Sequence, residues 1–448
     1  MQIVKRQGKT KKGLSMKIFS TNTIAVPKDL ASITDIAPEA AAQAGGMSAG
    51  QVQRIWSAVE QLYRTGNHPQ ISFCLRRKGQ VILNRSIGFA QGNGPEDTAT
   101  TPKIAAKTTT PICLFSASKI ITAMLVHILD EEGTLNLLDP ISRYIPEYAQ
   151  NGKRHTTIFH LLSHRGGIAR IDDNIDPEVL FNHQEILQRL YAAKPTTVSG
   201  SQLAYHAITA GYILGEVIER VTAQPLQQFL DERISRPMHM RCFNYGLAPE
   251  FRDEVALNYK TGFYSKVGTD QYLKHVIGGS LNTAVRLTND PRIFDAVCPA
   301  ANIYTSAEEV GRFFEMLLNG GEYQGQQIMS PETVFRATLP TTGVKLDHSL
   351  LVPMRYALGP MLGSNPVGLF GPMTGQAFGH LGFSNNICWA DPERDISVAL
   401  LSTGKSVVGT HLPALLKVLW QISTQCPKVE YSKRRAIFGS DQNNNAQI

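Results

Sequence analysis

The chain has 448 residues, of which 42% are hydrophobic and 18% are charged. This composition excludes wholesale disorder, and the length allows one large unit with an inserted subdomain or two to three smaller units. The net charge of +7 is concentrated at the start, where residues 1–20 hold six of the 44 Lys and Arg residues and none of the 37 Asp and Glu residues, so the nearly neutral remainder excludes a nucleic-acid-binding body.

The N-terminal part is predicted to be a tail followed by a helix and two strands. Residues 1–46 are basic, then rich in small and polar residues, and they lack sustained periodicity, which predicts a flexible tail and linker. From Ser48, a candidate N-cap, apolar positions recur at helical spacing and predict a helix that ends near Gly66. Strands are predicted at Gln70–Arg76 and Gln80–Ile87.

The stretch Ser116-Ala117-Ser118-Lys119 opens an apolar segment with helical spacing that stops at Gly133. Residues at i and i+3 of a helix share a face, so Ser116 and Lys119 would project into the same space. A desolvated, deprotonated Lys119 could then accept the proton of Ser116. In the alternative interpretation Ser116 is only an N-cap and Lys119 is solvated, although a lysine inside an apolar segment must find a partner or lose its charge.

The middle of the chain is predicted to be mainly helical and the last third to return to strands. The predicted helices are Ile158–Ser163, Glu185–Ala192, Ile208–Val221 and Leu226–Ile234. The late elements are strands Phe383–Ala390 and Asp395–Ser402 around the turn Asp391–Arg394, and a closing helix Leu412–Ile422.

These elements predict an α+β fold, in which an antiparallel sheet built from both ends of the chain is flanked by helices and a mainly helical subdomain is inserted in the middle. The predicted domain spans residues 47–426. Its sheet part covers about 47–112 and 300–426, and its helical part covers about 113–299. Residues 427–448 are predicted to form a polar tail, and a site is expected at the seam between the two parts.

The chain is expected to be cytoplasmic, without a membrane span. No segment approaches the roughly 18 consecutive apolar residues that a span needs, and the N-terminus lacks the apolar stretch of a secretory signal. The six cysteines are scattered without C-x-x-C pairs. This pattern predicts reduced, partly buried thiols and neither a zinc site nor a disulfide framework.

Two short motifs follow the Ser-x-x-Lys motif: Tyr205-His206-Ala207 and His380-Leu381-Gly382. In this order and spacing, the three motifs resemble the serine β-lactamase and penicillin-binding-protein superfamily, in the class C-like branch that includes family VIII carboxylesterases. The resemblance extends from about Ser48 to Cys426. It implies an α/β sandwich of the β-lactamase/transpeptidase type and the chemistry of a serine hydrolase.

The resemblance also assigns roles to three side chains. It makes Ser116 the acylated nucleophile and Lys119 either its proton acceptor or the group that lowers its pKa, with Tyr205 as a second proton handler. A phenol can take the serine proton directly, or relay it to the leaving group, if Lys119 holds it partly as phenolate. Considered alone, Tyr205 would be a buried tyrosine satisfied by one hydrogen bond.

The third motif is expected at a strand edge beside the serine. The family pattern makes the backbone N–H groups of Ser116 and Phe383 the donors to the oxyanion of the tetrahedral intermediate. Gly379 and Gly382 would permit close approach of the backbone to a ligand. His380 replaces the usual lysine of this motif and could orient the acyl group or the tyrosine, although a lone histidine is more often structural.

Two departures from the family pattern favour esters over β-lactams as substrates. Ala207 stands where penicillin-recognising enzymes have an asparagine for the acylamino group. Leu381 replaces a hydroxyl residue that helps to hold the β-lactam carboxylate. Losing such polar contacts penalises polar substrates strongly and apolar esters little.

The sequence therefore predicts a serine hydrolase that acts on a small-molecule ester or amide and needs no cofactor. His164, His206 and His275 lack metal-ligand spacing, so no metal is expected. A peptidase, a transacylase or a weak β-lactamase on the same scaffold stays open, as does a non-catalytic scaffold protein. The pattern leaves open whether the chain forms a homo-oligomer.

Overall fold

A computed structural model describes residues 20–171, 176–265 and 267–429. The basic part of the predicted tail up to residue 19, and the C-terminal tail from residue 430, lie outside the described residues.

The helices are α1 Ala49–Arg64, α2 Ser118–Glu131, α3 Ile158–Leu162, α4 His183–Ala192, α5 Thr209–Thr222, α6 Leu226–Leu230, α7 Thr269–Ile277, α8 Leu281–Thr288, α9 Ala307–Leu318, α10 Pro331–Thr338 and α11 His411–Gln425. The strands are β1 Ser20–Asn22, β2 Thr34–Ile36, β3 Gln70–Arg77, β4 Gln80–Gln91, β5 Ile104–Ala105, β6 Ile112–Cys113, β7 Asn244–Tyr245, β8 Gly262–Tyr264, β9 Ile303–Thr305, β10 Glu322–Tyr323, β11 Gln326–Gln327, β12 Lys345–Asp347, β13 Val352–Met354, β14 Met361–Leu362, β15 Val367–Gly368, β16 Gly371–Pro372, β17 Phe378–Leu381, β18 Ile387–Asp391 and β19 Ile396–Ser402.

The central sheet joins the two ends of the chain. Its strand order is β14-β17-β18-β19-β3-β4-β2, with β5 paired to β4, and the paired strands are antiparallel. The late strand β19 pairs with the early strand β3 along its length, with Leu400 opposite Phe73. The predicted α+β fold, with an antiparallel sheet assembled from both ends, is confirmed.

Helices cover both faces of this sheet, as the side chains of β19 show. Val398 and Leu400 belong to an apolar cluster that includes residues of α1 and α11. Ala399 and Leu401 point to the opposite face, because successive side chains of a strand alternate, and they belong to a cluster with α2 and α9. Every residue of β19 is therefore buried, which explains its continuous apolar sequence.

The helix α2 lies between the sheet and the helical part. Residues Ser118 to Leu129 are all buried, and α2 contacts α5, α10 and β17. The short turn before α2 also contacts β17. The start of α2 is thus held at the seam where the sequence predicts a site.

Ser116 itself does not lie on this helix. The helix begins at Ser118 with Ala117 as its N-cap, and Ser116 lies in the preceding 3-10 turn, Phe115–Ala117. Phe115 has a φ of +50°, which an α-helix of L-residues cannot continue through. The expectation that Ser116 opens the helix is therefore corrected, and so is the alternative that it is the N-cap.

Other helices agree closely with the sequence patterns. Ser48 caps α1 through a capping box with Gln51, which confirms the predicted start of that helix. The predicted helix Leu226–Ile234 is α-helical only to Leu230 and continues as a π-helical turn, Asp231–Ser235. Across the described residues, none of the helices combines the length and the hydropathy needed to cross a membrane.

The predicted strand Phe383–Ala390 begins only at Ile387. Ser384 and Asn385 have φ values of +49° and +70°, so the chain turns there rather than extends. The side chain of the following Asn386 is fully buried and hydrogen-bonded. A run of polar residues inside an apolar pattern marks a turn in this case and not the exposed face of a strand.

Part of the segment predicted as a linker is built into the fold. Thr34–Ile36 forms the edge strand β2 and pairs with β4, and Ile24 and Leu30 are buried in the same apolar cluster as α1. These two apolar side chains hold the segment against the body. The boundaries of residues 47–426 stay a prediction.

The six cysteines are buried and unpaired. Burial raises the pKa of the thiols, for instance that of Cys113 to about 11, so the reactive thiolate form is disfavoured. The burial of the cysteines is thus more complete than the sequence predicts, as expected for small apolar side chains.

Candidate active site

Ser116 lines a cavity and lies in a turn that is held from both sides. The Leu114 N–H donates to the Ile303 carbonyl oxygen at 2.8 Å. From the other side, the Asn386 side-chain amide donates to the Cys113 carbonyl oxygen at 3.0 Å. The turn is thereby pinned to β9 and to the start of β18, which leaves Ser116 partly exposed with its neighbours fixed.

Lys119 lies next to Ser116 in a buried setting. Its Nζ is 2.9 Å from Ser116 Oγ, and it donates to the Ala300 carbonyl oxygen at 3.0 Å. Only 8% of the residue is exposed, and the described structure shows no ion pair with an acidic side chain for it. Burial lowers the pKa of Lys119 to about 7, against a small opposing influence of Cys298. A large share of this side chain is therefore a neutral amine at neutral pH, with a lone pair for the serine proton.

Tyr205 completes a group of three side chains. Its hydroxyl lies close enough to Ser116 for that residue to influence the pKa of the phenol, and Lys119 Nζ lies 5.0 Å from the centre of its ring. The pKa of Tyr205 is raised well above its ordinary value, mainly by burial. The interaction with Ser116 opposes this increase in pKa, and the nearby carboxylate of Asp347 adds to it. These conditions favour the neutral phenol, so the amine is the better first proton acceptor and the phenol the better relay.

His380 lies close to this group and is neutral. The residue is fully buried, and its ring centre is 6.2 Å from that of Tyr205. Its Nδ1 is 2.7 Å from the Leu381 carbonyl oxygen, which requires a proton on Nδ1 and leaves Nε2 as a buried acceptor without a partner. Burial and the nearby Lys119 lower the pKa of His380 to about 3, so it cannot supply the positive charge of the lysine it replaces.

The backbone after His380 runs against the serine turn. A Cβ on Gly382 would lie 2.3 Å from the Leu114 carbonyl oxygen, so only glycine allows this approach. Its own N–H donates to the Asn386 carbonyl oxygen at 2.8 Å, which makes Gly382 a spacer and not a donor to substrate. The Phe383 ring packs against that of Phe115, with centres 5.5 Å apart.

The remaining predicted site residues divide between the cavity and the core. Ala207 and Phe383 line the cavity together with Ser116. Leu381 instead packs against an apolar cluster of the core and is not among the residues that line the cavity. Gly379 approaches β18, since a Cβ there would lie 2.2 Å from the Cys388 carbonyl oxygen. The expectation that Gly379 makes room for a ligand is therefore corrected.

The cavity beside Ser116 is mainly apolar. It has about 1260 Å³ of empty volume, which includes its open mouth. Its walls come from the turn before α2, the segments before and after residues 172–175, the start of α5, and the pair α7 and α8. The apolar lining residues are Phe115, Ala169, Ile171, Pro177, Val179, Leu180, Phe181, Ala207, Ile208, Val276, Ile277, Ala284, Leu287, Ile293, Ala301 and Phe383. Such a surface favours an apolar group attached to the carbon that Ser116 would attack.

Two buried residues near the site carry no signal in the sequence. Asp347 is fully buried and accepts the N–H of Tyr205 at 3.1 Å. Lys405 is also fully buried, and its Nζ lies 4.5 Å from the centre of the Phe115 ring. Burial lowers the pKa of Lys405 to about 7. Neither residue belongs to a recognisable motif, because its partners are distant in the chain.

The three histidines considered as metal ligands have other surroundings. His164 lies 4.8 Å from the Tyr205 ring and its Nδ1 accepts the His206 N–H at 3.2 Å, while His275 Nε2 is 3.2 Å from the carbonyl oxygen of His348. Burial lowers the pKa of both His164 and His206, so both are neutral structural rings.

Within the described ranges, a different group has ligand atoms within 4.8 Å of one another: His183, Glu216 and Glu219. None of the three lines the cavity beside Ser116. Arg220 already occupies this group, since its Nε is 2.6 Å from a Glu216 carboxylate oxygen. The polar side-chain groups gathered at Ser116 are its own hydroxyl, the amine of Lys119 and the phenol of Tyr205.

Comparison with known proteins gives one family. The family model described as Beta-lactamase matches residues 56–416. Esterase/beta-lactamase LipL of Mycobacterium tuberculosis is 27% identical over 299 residues, which are 64% of this chain and 68% of that protein.

Solved structures share the fold. A penicillin-binding protein homologue from Caulobacter crescentus has a TM-score of 0.70 at 24% identity, over 85% of this chain and 99% of that chain. A family VIII carboxylesterase has a TM-score of 0.69 at 23% identity, over 84% of this chain and 98% of that chain.

Proposed function

The chain belongs to the β-lactamase family, and from this membership we propose that it is a serine hydrolase that forms an acyl-enzyme on Ser116 and hydrolyses small carboxylic esters. The observation that carries the proposal is the 2.9 Å separation of Lys119 Nζ from Ser116 Oγ, in surroundings that lower the pKa of Lys119 to about 7. A hydroxyl beside a neutral amine is an activated nucleophile.

The proposed reaction has two halves. In the first, Ser116 Oγ bonds to the ester carbonyl carbon as its proton passes to Lys119 Nζ. The carbon–oxygen bond to the alcohol then breaks, and the alcohol leaves with a proton delivered through the Tyr205 hydroxyl. In the second half water bonds to the acyl carbon, gives up a proton to the same groups, and releases the carboxylic acid and free Ser116.

The residues around the nucleophile support esters as the substrate class. Ala207 offers the cavity a methyl group, and Leu381 packs against the core and does not line the cavity. An acylamino group or a second carboxylate would find no dedicated side chain at these positions, and unpaired polar groups are costly. The name of LipL includes both an esterase and a β-lactamase, so the choice of esters depends on these residues.

The test combines a covalent probe with a substrate panel. A fluorophosphonate should add one adduct to the intact mass of the folded protein, and nitrophenyl esters should be hydrolysed with an initial burst. A chromogenic cephalosporin run beside them should be the slower substrate. Absence of an adduct would favour a non-catalytic scaffold, and faster turnover of the cephalosporin would favour a β-lactamase.

Narrowing the cavity should change the preferred chain length. Ala284 on α8 lines the cavity, and Ala284→Phe should exclude the far end of a long acyl chain while leaving room for an acetyl group. Exclusion of two methylenes costs about 1.6 kcal/mol, or about 15-fold in kcat/KM. We therefore expect nitrophenyl octanoate to lose about 15-fold or more and nitrophenyl acetate to stay close to the wild-type rate.

Asn282→Phe is the matched control, because Asn282 is exposed on the same helix and is not among the residues that line the cavity. This variant should keep the wild-type ratio of octanoate to acetate activity. If Ala284→Phe slows both esters equally, the cavity does not bind the acyl chain.

A further inference from the structure

A buried carboxylate lies directly behind the tyrosine of the site. Asp347 ends β12, is fully buried, and its carboxylate accepts four hydrogen bonds. Oδ1 accepts the N–H groups of Tyr205, Ser349 and Leu350 at 3.1, 2.8 and 2.9 Å, and Oδ2 accepts the hydroxyl of Tyr356 at 3.0 Å. A buried carboxylate needs such partners, and here they also connect distant parts of the chain.

Two of these bonds are local and two are not. The bonds to Ser349 and Leu350 close a turn that any Asp in this position could form. The N–H of Tyr205 lies 142 residues away in the chain, and it belongs to the residue whose phenol reaches Ser116. The local turn does not require this bond, so the bond points to a role at the site.

The second distant bond supports the same tyrosine from its other side. Tyr356, held by Asp347, packs edge-on against His164 with ring centres 4.8 Å apart. His164 in turn lies 4.8 Å from the Tyr205 ring. Asp347 thus fixes both the backbone of Tyr205 and the aromatic stack against which its ring rests.

The turn that Asp347 closes also holds a wall of the cavity. The Tyr272 hydroxyl on α7 donates to the Leu350 carbonyl oxygen at 3.2 Å, and Val276 on the same helix lines the cavity. One rigid turn therefore connects the phenol with the surface that an acyl group would contact.

We infer that Asp347 is a positioning residue for Tyr205: it holds the phenol beside Ser116 and Lys119, so that a proton can be delivered to the leaving alcohol. The inference rests on the proposed ester hydrolysis. It assigns to Asp347 a role that acts through Tyr205 and involves no contact with substrate.

The decisive variant is Asp347→Ser, because a serine hydroxyl can still cap the local turn but is too short to reach the N–H of Tyr205. With an ethyl ester, a poor leaving group, kcat should fall about tenfold or more while KM stays within about twofold. Asp347→Asn keeps an oxygen for the three N–H groups and an amide for the Tyr356 hydroxyl. It should restore kcat to within about threefold of wild type.

A double-mutant cycle with Tyr205→Phe separates positioning from general damage. If Asp347 acts through Tyr205, then Asp347→Ser should cause no further loss in the Tyr205→Phe background. An equal loss in both backgrounds would overturn the inference, and so would an Asp347→Asn variant as slow as Asp347→Ser. If Asp347→Ser does not fold, Tyr356→Phe replaces it in the same cycle, since it removes the hydroxyl and keeps the ring.

The outcomes for this inference and for the proposed function are distinguishable. If the wild-type protein neither forms the fluorophosphonate adduct nor hydrolyses any ester, the proposed function fails first. If the wild-type protein turns over esters and the cycle is additive, the function stands and the role of Asp347 is wrong.

Discussion

Replacing Ser116 with alanine is expected to abolish the covalent adduct and the burst, and to lower ester hydrolysis by about 10⁵-fold or more. The physical reason is that Lys119 and Tyr205 converge on one oxygen, Ser116 Oγ. Without that oxygen the site keeps a base but has no nucleophile for it to activate. Intact-mass analysis with a fluorophosphonate and burst kinetics with a nitrophenyl ester measure the two effects separately.

The matched control lies two residues away. Ser118 is fully buried, and its hydroxyl accepts the Ile303 N–H at 3.1 Å. Ser118→Ala should therefore lower stability by about 1–3 kcal/mol, the cost of an unsatisfied buried donor, and still take up one equivalent of probe. An adduct that persists in Ser116→Ala, or is lost in Ser118→Ala with the fold intact, would contradict the role assigned to Ser116.

Local patterns predicted the strands β3, β4, β18 and β19 of the central sheet and most of the helices, but not β2, β5, β14 or the helices α7 to α10. The mainly apolar sequence of β19 fits a strand that is covered on both faces. The wide apolar arc after Ser118 fits a helix that is buried on all sides. The predicted helix start at Ser116 and the predicted strand through Ser384 were wrong. The backbone is left-handed at Phe115, just before Ser116, and at Ser384 itself. Such conformations are imposed by tertiary contacts, which a sequence pattern does not contain.

The site was predictable only where residues form short motifs. Ser116, Tyr205 and His380 come from three distant segments, and the structure brings their side chains together through α2, the start of α5 and β17. Asp347 and Lys405 were missed, because an Asp in a turn and a Lys after a strand are common surface patterns. Their burial results from packing against segments distant in the chain, such as Tyr205 for Asp347 and Phe115 for Lys405.

Replacing Lys119 with alanine is expected to lower kcat/KM for esters by about 10³-fold or more. The wild-type amine lies 2.9 Å from Ser116 Oγ, and no other described basic side chain is shown within hydrogen-bond distance of that oxygen. Tyr205 remains in the variant, but burial raises its pKa well above its ordinary value, so its phenolate is too rare to act as the base. Steady-state kinetics with a nitrophenyl ester measure the loss.

The pH profile identifies the group that titrates. Burial lowers the pKa of Lys119 to about 7, so wild-type kcat/KM should rise as the pH increases through about 7 and then level off, because the ammonium cannot accept a proton and the amine can. Burial and the nearby Lys119 lower the pKa of His380 to about 3, so this histidine is expected to titrate well below that range. Lys405 also has a pKa of about 7, so the rise must vanish in Lys119→Ala and persist in Lys405→Met. The reverse result would assign the profile to Lys405.

A buried lysine elsewhere separates lost chemistry from lost packing. Lys153 is fully buried and donates to the Tyr191 carbonyl oxygen at 2.9 Å, away from Ser116, so Lys153→Met should affect stability and leave kcat/KM within about threefold.

The space vacated in Lys119→Ala is adjacent to the open cavity, and a small primary amine such as ethylamine should enter it. Restored activity should then follow the concentration of the unprotonated amine, because only that form can take the serine proton. Failure of every amine, together with a loss in Lys153→Met as large as that in Lys119→Ala, would mean that Lys119 supports the fold and does not activate Ser116.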